Sequence, residues 1–117
     1  MLWRSRRIRK VTVAEELVTS VDRDGDTITV ALHGEVDVLT VDQVRVALSE
    51  AIAQGPRQIV VDLADLSFID STGLGALIFG FQHARDSGLG FRLARPSRGV
   101  HQVLVLSGLL EVVEVTP

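Results

Sequence analysis

Residues 68–77 read FIDSTGLGAL, which sets an acid, two hydroxyls and a glycine side by side. A buried strand pattern ends just before them and a buried helix pattern begins just after. Ser71 therefore lies at or just inside a helix start. Unpaired backbone N–H groups and the positive end of the helix dipole favour an anion there. Two chemistries fit this position. The hydroxyl can cap the helix by accepting a backbone N–H. It can also accept a phosphoryl group, which adds a charge of about −1.5 to −2 at pH 7 beside Asp70. Such a modification would leave the domain folded while changing what docks on it. Local chemistry leaves both readings open.

Catalytic alternatives fail on spacing. A hydrolase elbow needs G-x-S-x-G around its serine, and the context here is I-D-S-T-G. An aspartic protease needs D-[ST]-G, but Thr72 separates Ser71 from Gly73. Gly73, Gly75 and Gly80 form neither a dinucleotide fingerprint nor a Walker loop, and no lysine follows. Those glycines are expected to let the helix pack closely on a sheet. His33, His83 and His101 lie on three different elements without metal-ligand spacing. DRDGD (22–26) resembles a fragment of a calcium loop but lacks the D-x-D-x-D-G order and a distal Glu, so it reads as a turn. No enzymatic constellation and no resident cofactor or metal is expected.

The elements that must position this stretch follow from hydrophobic period. Residues 11–21 and 27–33 read as two strands of a hairpin around DRDGD. After Gly34 the period becomes helical, with Val41, Val44, Leu48, Ala51 and Ile52 on one face. Thr40 and Gln43 form a capping box on paper, and Gly55-Pro56 stops the helix. QIVVDL (58–63) is an apolar run of the kind buried on both faces. A second helix carries Leu74, Leu77, Ile78, Phe81 and Ala84 and ends at Gly88. FRLA (91–94) is the next strand, and Ser97 caps a third helix with Val100, Val103 and Leu104 that Gly108 closes. VVEV (112–115) is the last strand.

The expected order is β-β-α-β-α-β-α-β. This is an α/β mixed sheet, an antiparallel N-terminal hairpin followed by parallel strands, covered by amphipathic helices. Parallel crossovers bring loops 34–40, 64–71 and 95–97 to one rim. Asp37, Asp70, Ser71, Thr72, Arg95 and Ser97 belong to it.

Composition narrows the setting. A chain of 117 residues with 46% apolar content is one domain able to bury a core, and few aromatics mean a core of Val, Leu, Ile and Ala. The absence of cysteine excludes disulfides and thiolate chemistry and suits a reducing cytoplasm. No apolar run approaches the ~18 residues of a membrane span. Arg4, Arg6, Arg7, Arg9 and Lys10 make residues 1–10 a basic arm, and termini of this kind are usually untethered. Residues 11–117 carry seven basic and fifteen acidic side chains, which argues against nucleic acid as the main partner.

Three segments together resemble the STAS domain family, in its anti-sigma factor antagonist branch. FIDSTGLGAL resembles the branch signature. HGEVDVLT (33–40) resembles the family's G-E-[LV]-D segment, and LVLSGLLEVVEV (104–115) its closing helix, turn and strand. IVVDLADLSFIDSTGLG (59–75) aligns without a gap, and the likeness spans roughly residues 12–117. The resemblance implies a partner-switching regulator without catalytic activity. Unphosphorylated, it would bind an anti-sigma factor that is also a serine kinase, freeing a sigma factor for transcription. The kinase would phosphorylate Ser71, or the adjacent Thr72, and end the association. A metal-dependent serine phosphatase would restore it. ATP belongs to the kinase, so no cofactor is implied on this chain. The implied contact surface is Gly34, Glu35, Asp37, Asp70, Ser71, Thr72, Gly73 and Leu74, on a cytoplasmic monomer or weak dimer. The alternative is a constitutive scaffold subunit of a stress-sensing or lipid-transport complex, in which Ser71 is only a cap. A third reading has the basic arm anchor the domain to nucleic acid or lipid.

Overall fold

The computed structural model describes residues 8–13 and 16–117. Its elements run β1 (Ile8–Val13), β2 (Leu17–Asp24), β3 (Thr27–Val36), α1 (Val41–Ala53), β4 (Gln58–Ile69) and α2 (Ser71–Asp86). They continue with β5 (Gly90–Ala94), α3 (Arg98–Leu106), a 3-10 turn (Leu109–Glu111) and β6 (Glu114–Thr116). The six strands form one sheet in chain order, β1-β2-β3-β4-β5-β6. β1, β2 and β3 pair antiparallel, and β3 through β6 pair parallel. The mixed α/β sheet read from the sequence is therefore present, with one strand more than expected. Right-handed crossovers that each step one strand in the same direction put every helix on the same face.

That face holds the core. Ile28, Val30 and Leu32 on β3 share it with Ile59, Val61 and Leu63 on β4 and with Phe91 and Leu93 on β5. Against them lie Val44, Leu48 and Ala51 of α1, Ala76, Leu77 and Ala84 of α2, and Val100 and Leu104 of α3. Each fully buried aliphatic side chain contributes about 1.5–3 kcal/mol. Phe81 meets Phe91 edge-on, with ring centroids 6.1 Å apart. The core is otherwise aliphatic, as the composition demands.

Four expectations shift. Residues 11–21 are not one strand: β1 ends at Val13 and β2 starts at Leu17. β1 also takes in Ile8, Arg9 and Lys10, residues assigned on sequence to the basic arm; they pair with Arg23, Asp22 and Val21. The rest of the arm, residues 1–7, lies outside the described residues. β6 is Glu114–Thr116 because Leu109–Glu111 form a 3-10 turn that delays the last strand. The fourth shift concerns the site. β3 runs on to Val36 and β4 to Ile69, so most of the two segments read as loops is paired strand. Register shifts between Ala31 and His33 and between Gly34 and Glu35 absorb the irregular hydrophobic pattern there.

The β2–β3 turn is the one DRDGD promised. Gly25 takes φ of 62° at the first of two turn residues, the place glycine occupies in a type II′ hairpin. Gly34 is more demanding. Its φ is 119°, and a Cβ there would lie 2.2 Å from the Glu16 carbonyl oxygen. That same carbonyl accepts the Glu35 N–H at 2.9 Å, so the crossing of the two chains depends on a missing side chain. Gly34→Ala is expected to lower stability by about 2 kcal/mol or more, from overpacking plus a backbone angle alanine rarely adopts. Urea unfolding would check this; a midpoint equal to wild type would refute the crossing.

Candidate functional site

β4 hands over to α2 at Asp70. Its backbone is extended (φ −103°, ψ −172°), and its N–H donates to the Val36 carbonyl at 3.2 Å. The start of α2 is thereby tied to the end of β3. Asp70 Oδ1 accepts the Gly73 N–H at 3.1 Å and the Thr72 hydroxyl at 2.5 Å. Asp70 is therefore the N-cap, and Ser71 is the first helical residue. Ser71 is exposed, and no described residue hydrogen-bonds its hydroxyl. The sequence left capping and modification open at Ser71; the geometry gives capping to its neighbour. Thr72 differs, since its half-buried hydroxyl is engaged with Asp70. Gly73 is buried, and a Cβ on it would press within 2.6 Å of Ile69 Cγ1 and 2.7 Å of Val36 Cγ1. Leu74 is half-buried against the core.

The 34–40 segment stands beside this helix start through the last β3–β4 pairs, Glu35 with Phe68 and Val36 with Ile69. Thr40 precedes α1, but the capping box does not form. Its hydroxyl instead donates to the Glu35 carbonyl at 2.9 Å and accepts the Asp37 N–H at 3.0 Å. Asp37 Oδ1 in turn accepts the N–H of Leu39 at 2.9 Å. Gln43 reaches the Leu17 carbonyl at 3.3 Å rather than the Thr40 N–H. These bonds fold residues 37–40 into a tight loop whose tip shows Val38 and Leu39 to solvent, 70% and 83% exposed. Phe68 is exposed nearby. These three apolar residues were missed on sequence, where only chemistry-bearing side chains were sought. Carboxylate oxygens of Glu16, Glu35 and Asp37 lie within 4.8 Å of one another. An exposed acidic group of this kind makes the tip negative and is not in itself a metal centre.

The structure brings Gly34, Glu35, Asp37, Asp70, Ser71, Thr72, Gly73 and Leu74 to one end of the sheet. Arg95 and Ser97, placed on the same rim by the sequence, sit lower. β5 last pairs at Ala94 with Asp62, seven residues before β4 ends. Arg95, with φ of 57°, forks onto Asp62 through Nε at 3.2 Å and Nη2 at 2.5 Å. Ser97 caps α3 by accepting the Val100 N–H at 3.3 Å. Both clasp the flank of β4.

His33 shows a second arrangement that the sequence hid. Its Nδ1 is 3.0 Å from Asp65 and its Nε2 is 3.5 Å from the Ser20 hydroxyl. The order matches a hydrolytic triad, but Ser20 is only 4% exposed. Strand β2 also spends its N–H groups in the ladder, leaving no oxyanion donors. It is a structural link between strands.

Two carboxylates are held below their ordinary value of 3.8. At Asp70 the Thr72 hydroxyl and then the Gly73 N–H stabilise the anion. At Asp62 burial pushes the other way, but the hydrogen bonds of Arg95 and the Ala64 N–H, with the charge of Arg95, outweigh it.

A family model described as the STAS domain matches residues 19–117. The chain belongs to the STAS domain family. The anti-sigma F factor antagonist of Paenibacillus polymyxa is 33% identical over 87 residues, covering 74% of each chain. Among solved structures, an anti-sigma factor antagonist from Mycobacterium paratuberculosis superposes with a TM-score of 0.79 at 23% identity, covering 91% of this chain and 90% of that one. The anti-sigma factor antagonist SpoIIAA in its unphosphorylated form gives 0.67 at 25% identity, covering 94% and 89%. The Bacillus SpoIIAA in the phosphorylated form gives 0.61 at 24%, covering 94% and 92%. No helix among the described residues of this STAS domain is long and apolar enough to cross a membrane.

Asp70→Asn keeps a good capping side chain but removes the charge. A carboxylate whose pKa is depressed by folding stabilises the fold above its unfolded pKa and loses that contribution as pH falls through the lower folded value. The stability gap between wild type and Asp70→Asn should therefore close as pH drops from about 5 to below 3.8. Unfolding midpoints across that range would read it; a gap independent of pH contradicts the cap.

Proposed function

We propose that this chain is an anti-sigma factor antagonist whose binding is switched by phosphorylation of Ser71. The observation that carries the reading is the free, exposed Ser71 hydroxyl on the first turn of α2, left unoccupied because Asp70 does the capping. Unmodified, Ser71 forms a contact surface with Thr72, Gly73, Leu74 and Asp70 and with Gly34, Glu35 and Asp37 of the neighbouring segment. The partner is an anti-sigma factor that is also a serine kinase, and its capture frees a sigma factor in the cytoplasm. In the kinase's site the Ser71 oxygen bonds to the terminal phosphorus of ATP, ADP departs, and the hydroxyl proton is released. A metal-dependent serine phosphatase hydrolyses the ester and returns the hydroxyl. This chain contributes an acceptor and a surface, and no catalysis.

The switch follows from electrostatics. The N-terminus of α2 accommodates the phosphate, so the fold survives. The partner's contact does not. A dianion entering a dry interface without a cation costs several kcal/mol. It also arrives beside Asp70, near the Glu16, Glu35 and Asp37 group, whose negative charge adds to the repulsion. A loss of about 4 kcal/mol weakens binding roughly a thousandfold.

Incubation with the cognate kinase and ATP should add one phosphate to wild type and none to Ser71→Ala. Because Ser71 does not cap, the alanine variant should unfold within about 0.5 kcal/mol of wild type, against about 1 kcal/mol for a lost cap. Ser71→Asp should stay folded and bind the kinase at least about a hundredfold more weakly, as a carboxylate imitates a phosphate only in part. Full labelling of Ser71→Ala, or wild-type affinity in Ser71→Asp, sinks the reading. The scaffold alternative instead expects no phosphate on the wild type, and a Ser71→Ala variant about 1 kcal/mol less stable with its partner affinity intact.

A further inference from the structure

Helix α2 carries three glycines, and two of them have a reason within the chain. A Cβ on Gly73 would strike Ile69 and Val36, and one on Gly80 would lie 2.8 Å from Leu48 Cδ1. Gly75 has none. It is exposed, a Cβ there would meet no described atom within 4 Å beyond its own stretch of helix, and its φ is not positive. Yet glycine in a helix interior weakens the helix relative to alanine, through backbone entropy. Nothing among the described residues compensates for that loss.

Gly75 lies one helical turn beyond Ser71, about 6 Å along the axis and on nearly the same face. One turn further is Phe79, 56% exposed. From Ser71 to Gln82 the helix bears no charged side chain. The face is thus continuous with the acceptor serine, uncharged, bare at its centre and apolar at its far end. We propose that Gly75 is the point of closest approach for the anti-sigma factor that meets Ser71. The partner's main chain closes against Gly75, and an apolar hollow beside it receives Phe79. This rests on the switch reading above, and it names where the partner must come closest.

The test separates stability from binding. The probe is the purified anti-sigma factor kinase that phosphorylates the wild-type chain, titrated by calorimetry against full-length variants. Gly75→Ala should raise the melting temperature by about 2–5 °C. It should nevertheless bind the kinase about tenfold or more weakly, because a methyl is forced into a close contact. Phe79→Ala should also bind more weakly. Gly75→Ala that is more stable but binds like wild type overturns the inference, while the release caused by Ser71→Asp would leave the switch standing. A fall in melting temperature also overturns it, since an internal packing reason would then exist. Wild-type affinity in Ser71→Asp, or no kinase that acts on the wild type, overturns the switch reading and this inference with it.

Discussion

The carboxylate of Asp70 organises this end of the molecule. A helix start leaves backbone N–H groups without partners, and some side chain or water must take them. Asp70 accepts the Gly73 N–H and the Thr72 hydroxyl together, which frees Ser71 and commits Thr72. Its own N–H is held by Val36, so the cap also fixes α2 against the end of β3. One residue therefore decides which hydroxyl faces solvent and where the neighbouring segment stands.

The remainder of the fold positions that end. β3 and β4 continue as a pair past the point where β5 stops, and Val36, Leu66 and Ile69 carry the packed core up to the site. Gly34 lets the β3 backbone pass the Glu16 carbonyl, and the Asp37–Thr40 bonds shape the loop beside Ser71. All three helices lie on one face, with the aliphatic cluster beneath them. Ser71 is exposed at the margin of that cluster, so a charge added there stays at the surface. Under the proposed switch the partner is lost by local repulsion and desolvation, with no second packing of the domain required.

Much of this was legible from residues alone. The helical period of Val41 through Ile52 and of Leu74 through Ala84, the run at 58–63 and the Asp-Gly turn each placed an element correctly. The misreadings share a physical cause. VTV and LVTSV are separated by only three residues, so two short runs read as one strand across the break between β1 and β2. Segments 34–36 and 64–69 looked like loops because β-bulges disrupt the two-residue period without ending the pairing. Thr40 with Gln43 and Ser71 with its helix are good capping sequences, but neighbouring residues override them: Glu35 and Asp37 claim Thr40, and Asp70 arrives one residue before Ser71. The proposed acceptor position came from resemblance to a family signature. Its exposure, and the idleness of Gly75, needed coordinates.

The most direct measurement is an amide ¹H–¹⁵N correlation spectrum of the chain before and after stoichiometric phosphorylation at Ser71. The account predicts displaced signals confined to residues 70–76 and 34–40, with the amides of β5 and α3 unmoved. Displacement spreading through Ile59–Leu63 and the helices packed on them would contradict it, because the phosphate would then act by remodelling the core.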